Sequence, residues 1–154
     1  MIFGRIILEK LSNRLVEYLE NNLRLHIQNI GQVDNVQEIN LSHQTACISI
    51  SNPTNATIAL STSHKLSEIL LKNFITGNIS SEDMNEFSQI CLAETLNIAL
   101  GNIIKDLPQE YGNIDIASPY FLENQQIIYP THTTEMYILK INIENEIMLV
   151  CYFT

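Results

Sequence analysis

A two-layer α+β domain, with a largely antiparallel sheet packed on one face by long helices, is what the 154-residue sequence predicts. Two observations carry the prediction. Apolar residues recur at steps of three and four in some segments and alternate with polar residues in others. The two kinds of segment follow one another as helix, strands, helices, strands, an order that argues for a largely antiparallel sheet carrying the helices on one face. A 45% hydrophobic composition over this length suffices for one real core, so residues 1–154 are expected to form a single domain.

The elements follow in order. Ile6, Ile7, Leu11, Leu15, Tyr18, Leu19 and Leu23 share one helical face, and the first helix should end near Asn21 and Asn22. Residues 26–44 carry little signal, with VQEINLS the one stretch that reads as a strand. TACISIS at 45–51 and ATIALSTS at 56–63 alternate, and the NPTN between them is turn chemistry, which predicts a hairpin. HKLSEILLKNFITG returns to helical spacing and is expected to stop at Gly77. Ser80, with Asp83 three residues on, is a candidate N-cap, and Pro108 closes a helix of roughly 25 residues. NIDIAS, QQIIYP, EMYILKINI and EIMLVCYF read as strands, the last two joined across Glu144 and Asn145. Neither an internal repeat nor a low-complexity linker interrupts the chain.

Eight Lys and Arg against seventeen Asp and Glu give a net charge of -9, spread along the chain, which argues against nucleic acid as a partner. MIFGRIILEK does not fit a secretory leader, because Arg5, Glu9 and Lys10 break its apolar run. No apolar run reaches the length of a membrane span, so no membrane partner is expected. Cys47, Cys91 and Cys151 are widely spaced and flanked by apolar residues, which favours buried reduced thiols and a cytoplasmic location. His26, His43, His64 and His132 show no metal-ligand spacing. There is no P-loop, no G-x-G-x-x-G and no G-x-S-x-G.

The most informative stretch is CLAETLNIALGN, residues 91–102. At about 100° per residue, Glu94, Asn97, Gly101 and Lys105 fall within roughly 80° of one another, while Leu96, Leu100, Ile103 and Leu107 gather on the far side. Glu94 and Asn97, three apart, can reach the same external object. A helix-interior Gly costs on the order of 1 kcal/mol relative to Ala, so Gly101 calls for a reason, either tight packing or a partner's approach. Phe87 and Ile90 lie upstream on the same side and suit a docking surface. The spacing alone is weak, since E-x-x-N recurs at Glu82 with Asn85 and at Glu110 with Asn113. From composition alone, the stripe reads first as the solvated face of a surface helix.

Context sharpens that reading. AETLNIALGN, followed by a helix end and then IDIASPYFLEN, resembles the CheC, CheX and FliY family of chemotaxis phosphatases, and its CheX branch most closely. In that family E-x-x-N lies in a long helix, a Gly follows four residues after the Asn, and a D-I-x-x-P segment comes next. ATIALSTSHKLSEILLKNFITG is similar to the family's strand followed by a helix, so the likeness runs from about residue 45 onward. The chain departs at Ile90, where the family often has Asp or Ser, and at Leu96, where it commonly has Gly. NPTN replaces a Gly-rich turn, and Asn124 stands where a Gly usually follows the proline segment.

The resemblance implies a CheC/CheX-like fold and a phosphatase acting on the phospho-aspartate of a CheY-like response regulator. Asn97 would orient the hydrolytic water and Glu94 would pair with the regulator's lysine, with Phe87, Ile90, Gly101 and Lys105 bordering the docked partner. No cofactor of its own is implied: the Mg2+ would be supplied in the regulator's active site. It further implies a homodimer with one site per chain. Two alternatives stay open, a non-catalytic module of the same fold that recognises a response regulator or flagellar component, and a structural dimerisation domain pairing through EMYILKINI and EIMLVCYF.

Overall fold

The computed structural model describes residues 2–129 and 135–154. Helix α1 (Ile2–Asn21) is followed by three short strands, β1 (Ile27–Ile30), β2 (Asp34–Asn35) and β3 (Ile39–Leu41). The hairpin β4 (Gln44–Ser51) and β5 (Ala56–Thr62) leads into α2 (His64–Phe74) and the long α3 (Ser81–Ile104). A single 3-10 turn (Gln109–Tyr111) then precedes β6 (Asp115–Ile116), β7 (Tyr120–Glu123), β8 (Gln126–Ile128) and the closing hairpin β9 (Met136–Ile143) and β10 (Glu146–Phe153). Pro130 of the QQIIYP strand and His132 lie outside the described residues.

The main sheet runs β1-β9-β10-β5-β4-β6, with β2 also pairing β9 and β7 also pairing β4, and each of these pairings is antiparallel. Alternation along the strands sorts side chains between two faces. One face, with Ala46, Ile48, Ile58, Leu60, Leu139, Ile141, Met148 and Val150, packs under the three helices in the larger core. The other carries Cys47, Ala59 and Cys151, covered by the β3–β8 ribbon through Ile39 and Leu41. Helices therefore sit on one face as expected, and a small second layer shields part of the other.

The hairpin turns show their chemistry. Glu144 (φ 49°) and Asn145 (φ 64°) are both left-handed, as a two-residue turn between right-twisted strands requires, and Asn52 (φ 63°) opens the NPTN turn. Three details differ from the sequence expectations. Helix α2 ends at Phe74, not Gly77, because β-branched Ile75 is already extended (φ -115°, ψ 156°) and packs, with Ile79, against the core. NIDIAS is strand only over Asp115–Ile116: the segment runs on along the β4 edge, where Pro119 has no N–H to donate, and pairing resumes at Tyr120. Strands β9 and β10 are interior, flanked by β1 and β5, so their edges are not free to pair with another copy.

One helix also differs from the membrane expectation. Over 24 residues, α3 is long and apolar enough by composition to cross a bilayer. The structure uses that hydropathy for packing: Leu92, Leu96, Leu100 and Ile103 are buried in the core.

Candidate functional site

Helix α3 packs against α1, α2 and the sheet through β4. Its N-cap is Ser80, in extended conformation, whose hydroxyl donates to Asp83 Oδ2 at 2.9 Å instead of accepting from the helix backbone. The buried set Cys91, Leu92, Thr95, Leu96, Ala99, Leu100 and Ile103 recurs at three- and four-residue steps and fixes the helix's rotation. Thr95 Oγ1 satisfies itself internally, donating to the Cys91 carbonyl at 2.8 Å. That anchoring turns Glu94, Asn97 and Gly101 outward, all exposed, with Lys105 exposed at the helix's C-terminal cap.

Gly101 discriminates between its two possible reasons. A Cβ built on it meets nothing within 4 Å, so the glycine accommodates no neighbour of this chain and leaves an open gap beside Asn97. Phe87 is 43% exposed and Ile90 55%, which places two large apolar groups at the N-terminal end of the same stripe. Leu96, by contrast, is fully buried, so of the two flanking departures one belongs to the core and only Ile90 to the surface. A cavity of about 500 Å3 between β4, β6 and the end of β10 contains none of these residues. The stripe thus lies outside that cavity and presents a carboxylate, an amide and an open gap at the surface.

The α1 side of the site is not visible in the sequence. Tyr18, half-buried, is close enough to Glu94 for the carboxylate to matter: burial, then the charges of Cys91 and Glu94, push its phenol up from the usual tyrosine range. Arg14 of α1 donates from Nε (2.9 Å) and Nη2 (2.6 Å) to Asp106 Oδ2, tying α1 to the chain just beyond α3. Only the packing of α1 on α3 joins these residues to the stripe.

A second polar cluster lies at the other end of α3. Gln44, 2% exposed, donates from Nε2 to Asn85 Oδ1 at 2.9 Å and lies 2.7 Å from His64 Nδ1, while His43 and His64 stack with ring centroids 5.2 Å apart. It links β4, the first residue of α2 and α3. Among the described residues, no group of three or more His, Cys, Asp or Glu is arranged to hold a metal ion. Cys47, Cys91 and Cys151 are free and buried. Burial pushes the Cys47 and Cys91 thiols up to about 11, with the neighbouring Tyr120 and Thr95 hydroxyls acting the other way, and pushes Cys151 up as well.

The sequence model of a family described as chemotaxis phosphatase CheX matches residues 44–142, nearly two thirds of the chain. The chain belongs to the CheX family. No protein among the curated sequences matches it. Its fold is that of solved CheX-like structures. A chemotaxis protein CheX from Desulfovibrio desulfuricans superposes with a TM-score of 0.80 at 13% identity, over 95% of this chain and 97% of that one. A putative chemotaxis protein from Desulfovibrio vulgaris Hildenborough gives 0.82 at 14% identity, over 96% of each chain. A third, from Borrelia burgdorferi, was crystallised as a CheX–CheY–BeF3–Mg2+ complex and gives 0.69 at 16% identity, again over 96% of each. At such identities the likeness establishes the α+β CheX fold, and the site residues rest on their geometry here.

Proposed function

We propose that this CheX-family chain acts as one cytoplasmic domain that dephosphorylates the phospho-aspartate of a CheY-like response regulator, using the Glu94–Asn97 face of α3. The observation that carries the reading is the outward stripe of Glu94 and Asn97 beside an unfilled Gly101, in a chain of a phosphatase family. Phosphoryl transfer needs positioning and electrostatics more than covalent help. The Asn97 amide supplies an acceptor that orients an in-line water and donors for neighbouring oxygens, and it stays neutral beside an anionic phosphoryl group. Glu94 pairs with the regulator's lysine and sets the register of the helix. Phe87 and Ile90 bury against the regulator's rim, and Lys105 faces one of its carboxylates. The Mg2+ belongs to the regulator, and a homodimer carries one such site per chain.

The test is loss of phosphate from a CheY-like regulator of the same organism with the wild type, with Asn97→Ala and with neither. Wild-type acceleration, cut on the order of a hundredfold by the substitution, is the expected result. Acceleration that survives Asn97→Ala would assign the chemistry to other residues. Exposed, apolar Ile90 favours one second reading, docking without turnover, which would show as phosphorylation-dependent binding with no acceleration.

A further inference from the structure

Beside the stripe, between α1 and α3, lies a groove of about 300 Å3 lined by Arg14, Glu17, Tyr18 and Asn21 of α1 and by Ile98 and Asn102 of α3. Ile98 is four residues on from Glu94, about 40° round the helix, so groove and stripe form one continuous surface. Its lining carries one cation, Arg14, and one anion, Glu17, and a second carboxylate just outside it, Asp106, competes for the arginine. Arg14 is engaged by Asp106 at 2.6 Å, which leaves the exposed Glu17 a longer 3.4 Å contact with Arg14, while Glu94 bears on Tyr18 from the stripe side. Glu17 therefore lines a slot whose one cation is held chiefly by Asp106, with Glu94 on the adjoining stripe, and the amides of Asn21 and Asn102 carry no side-chain partner among the described residues. The half-buried Tyr18 ring and Ile98 supply apolar walls. An acceptor-rich slot with apolar walls suits a lysine or arginine, whose methylene stem packs while its head stays near solvent, and the Tyr18 ring adds a cation–π surface.

We propose that this groove receives a basic side chain of the docked response regulator, with Glu17 as its counter-charge and Tyr18 and Ile98 as the walls along its stem. The assignment rests on the phosphatase reading of the adjoining stripe and makes α1 a specificity element of the same interface. It extends the footprint beyond the single Glu94–lysine pair and sets a charge requirement on the regulator surface next to its phosphorylation site.

Equilibrium binding of a CheY-like regulator of the same organism, loaded with beryllofluoride and Mg2+, tests it with Glu17→Gln, Glu17→Lys and, as control, Glu38→Lys. Glu38 is an exposed residue just before β3, whose ribbon covers the opposite face, so it carries the same charge change away from the groove. Glu17→Gln should weaken binding about threefold and Glu17→Lys roughly tenfold or more at low salt, both effects shrinking at high salt. Glu38→Lys should stay within about twofold of the wild type. Equal effects of Glu17→Lys and Glu38→Lys, or none from either, would overturn the groove assignment while leaving the stripe intact. A wild type that does not bind the loaded regulator would overturn the phosphatase reading and the groove together. Exposed Glu17 leaves the core untouched, and unchanged thermal unfolding confirms that each variant is folded.

Discussion

Replacing Gly101 by leucine separates what the glycine does for the fold from what it does for docking. Within a helix interior, Gly is less favourable than Ala by about 1 kcal/mol, and Leu is close to Ala. No atom outside the local helix lies within 4 Å of a Cβ at position 101, so the substitution meets no clash and adds no cavity. The fold should gain up to about 1 kcal/mol, a rise of roughly 2–4 °C in Tm for a domain of this size. Docking should suffer instead, because the leucine fills the gap one turn from Asn97, and a displacement of about 1 Å at a reacting centre can cost on the order of a hundredfold. Thermal unfolding by circular dichroism and phosphate release from the regulator, measured on one preparation, read both effects. The expected signature is a higher Tm with lost turnover. A lower Tm would mean the glycine serves packing after all, and full turnover would mean that nothing approaches this face.

The other glycine in a long helix predicts the opposite. A Cβ on Gly4 would lie 2.6 Å from Cε1 of Tyr152, a fully buried ring, and 3.0 Å from Tyr137 Cδ2, so Gly4→Ala should destabilise by about 1–3 kcal/mol in denaturant unfolding. A neutral result would show that the tyrosines repack freely. The buried thiols make stability sensitive to alkali. Their folded-state values, about 11 for Cys47 and Cys91, lie above those of an unfolded chain. The folded state thus holds its protons longer. This contribution is complete only below the unfolded value of about 8.5 and is lost as the pH rises towards the folded-state value of about 11, at about 1.4 kcal/mol for each pH unit that separates the folded and unfolded titrations. Tm measured from pH 8 to 11 should fall, and less steeply in Cys91→Ala; parallel curves would remove the thiols as the cause. The same burial should make Cys47, Cys91 and Cys151 unreactive towards a thiol reagent until the chain unfolds.

How legible the fold was depended on how local its determinants are. Strands β4, β5, β9 and β10 alternate over seven or eight residues, and their turns use residues that tolerate positive φ, so pattern alone finds them. Strands β1 and β2 are four and two residues long and almost wholly exposed. They exist because β9 offers them an edge, β1 through a register shift between Ile27 and Asn29, and that information sits more than a hundred residues away in sequence. β3 is likewise made by its pairing with β8, yet its apolar alternation within VQEINLS is local enough to read as a strand. At the site, helical periodicity was enough to align Glu94, Asn97 and Gly101, whereas Tyr18, Glu17 and Arg14 join them only through the docking of α1 on α3.

The same division between core and surface decides what the two flanking departures mean. Leu96 has no exposure and belongs to the main core, so restoring the family's usual glycine there removes a buried leucine and adds helix-interior backbone freedom. Large-to-small core changes cost about 2–5 kcal/mol, with about 1 kcal/mol more for the glycine, enough to threaten a marginally stable domain. Ile90 is 55% exposed, on the turn preceding Glu94, so Ile90→Asp should leave unfolding within about 0.5 kcal/mol of the wild type. It would replace the proposed apolar docking contact by a second carboxylate one turn from Glu94, next to where the proposed mechanism brings the regulator's lysine. If position 90 tunes the chemistry, Ile90→Asp will change the maximal rate of phosphate release at saturating regulator. If it only contributes apolar docking area, the variant will weaken binding and leave that rate untouched. An unfolding loss in Ile90→Asp as large as that in Leu96→Gly would refute the separation, since it would mean that α3 does not present position 90 to solvent.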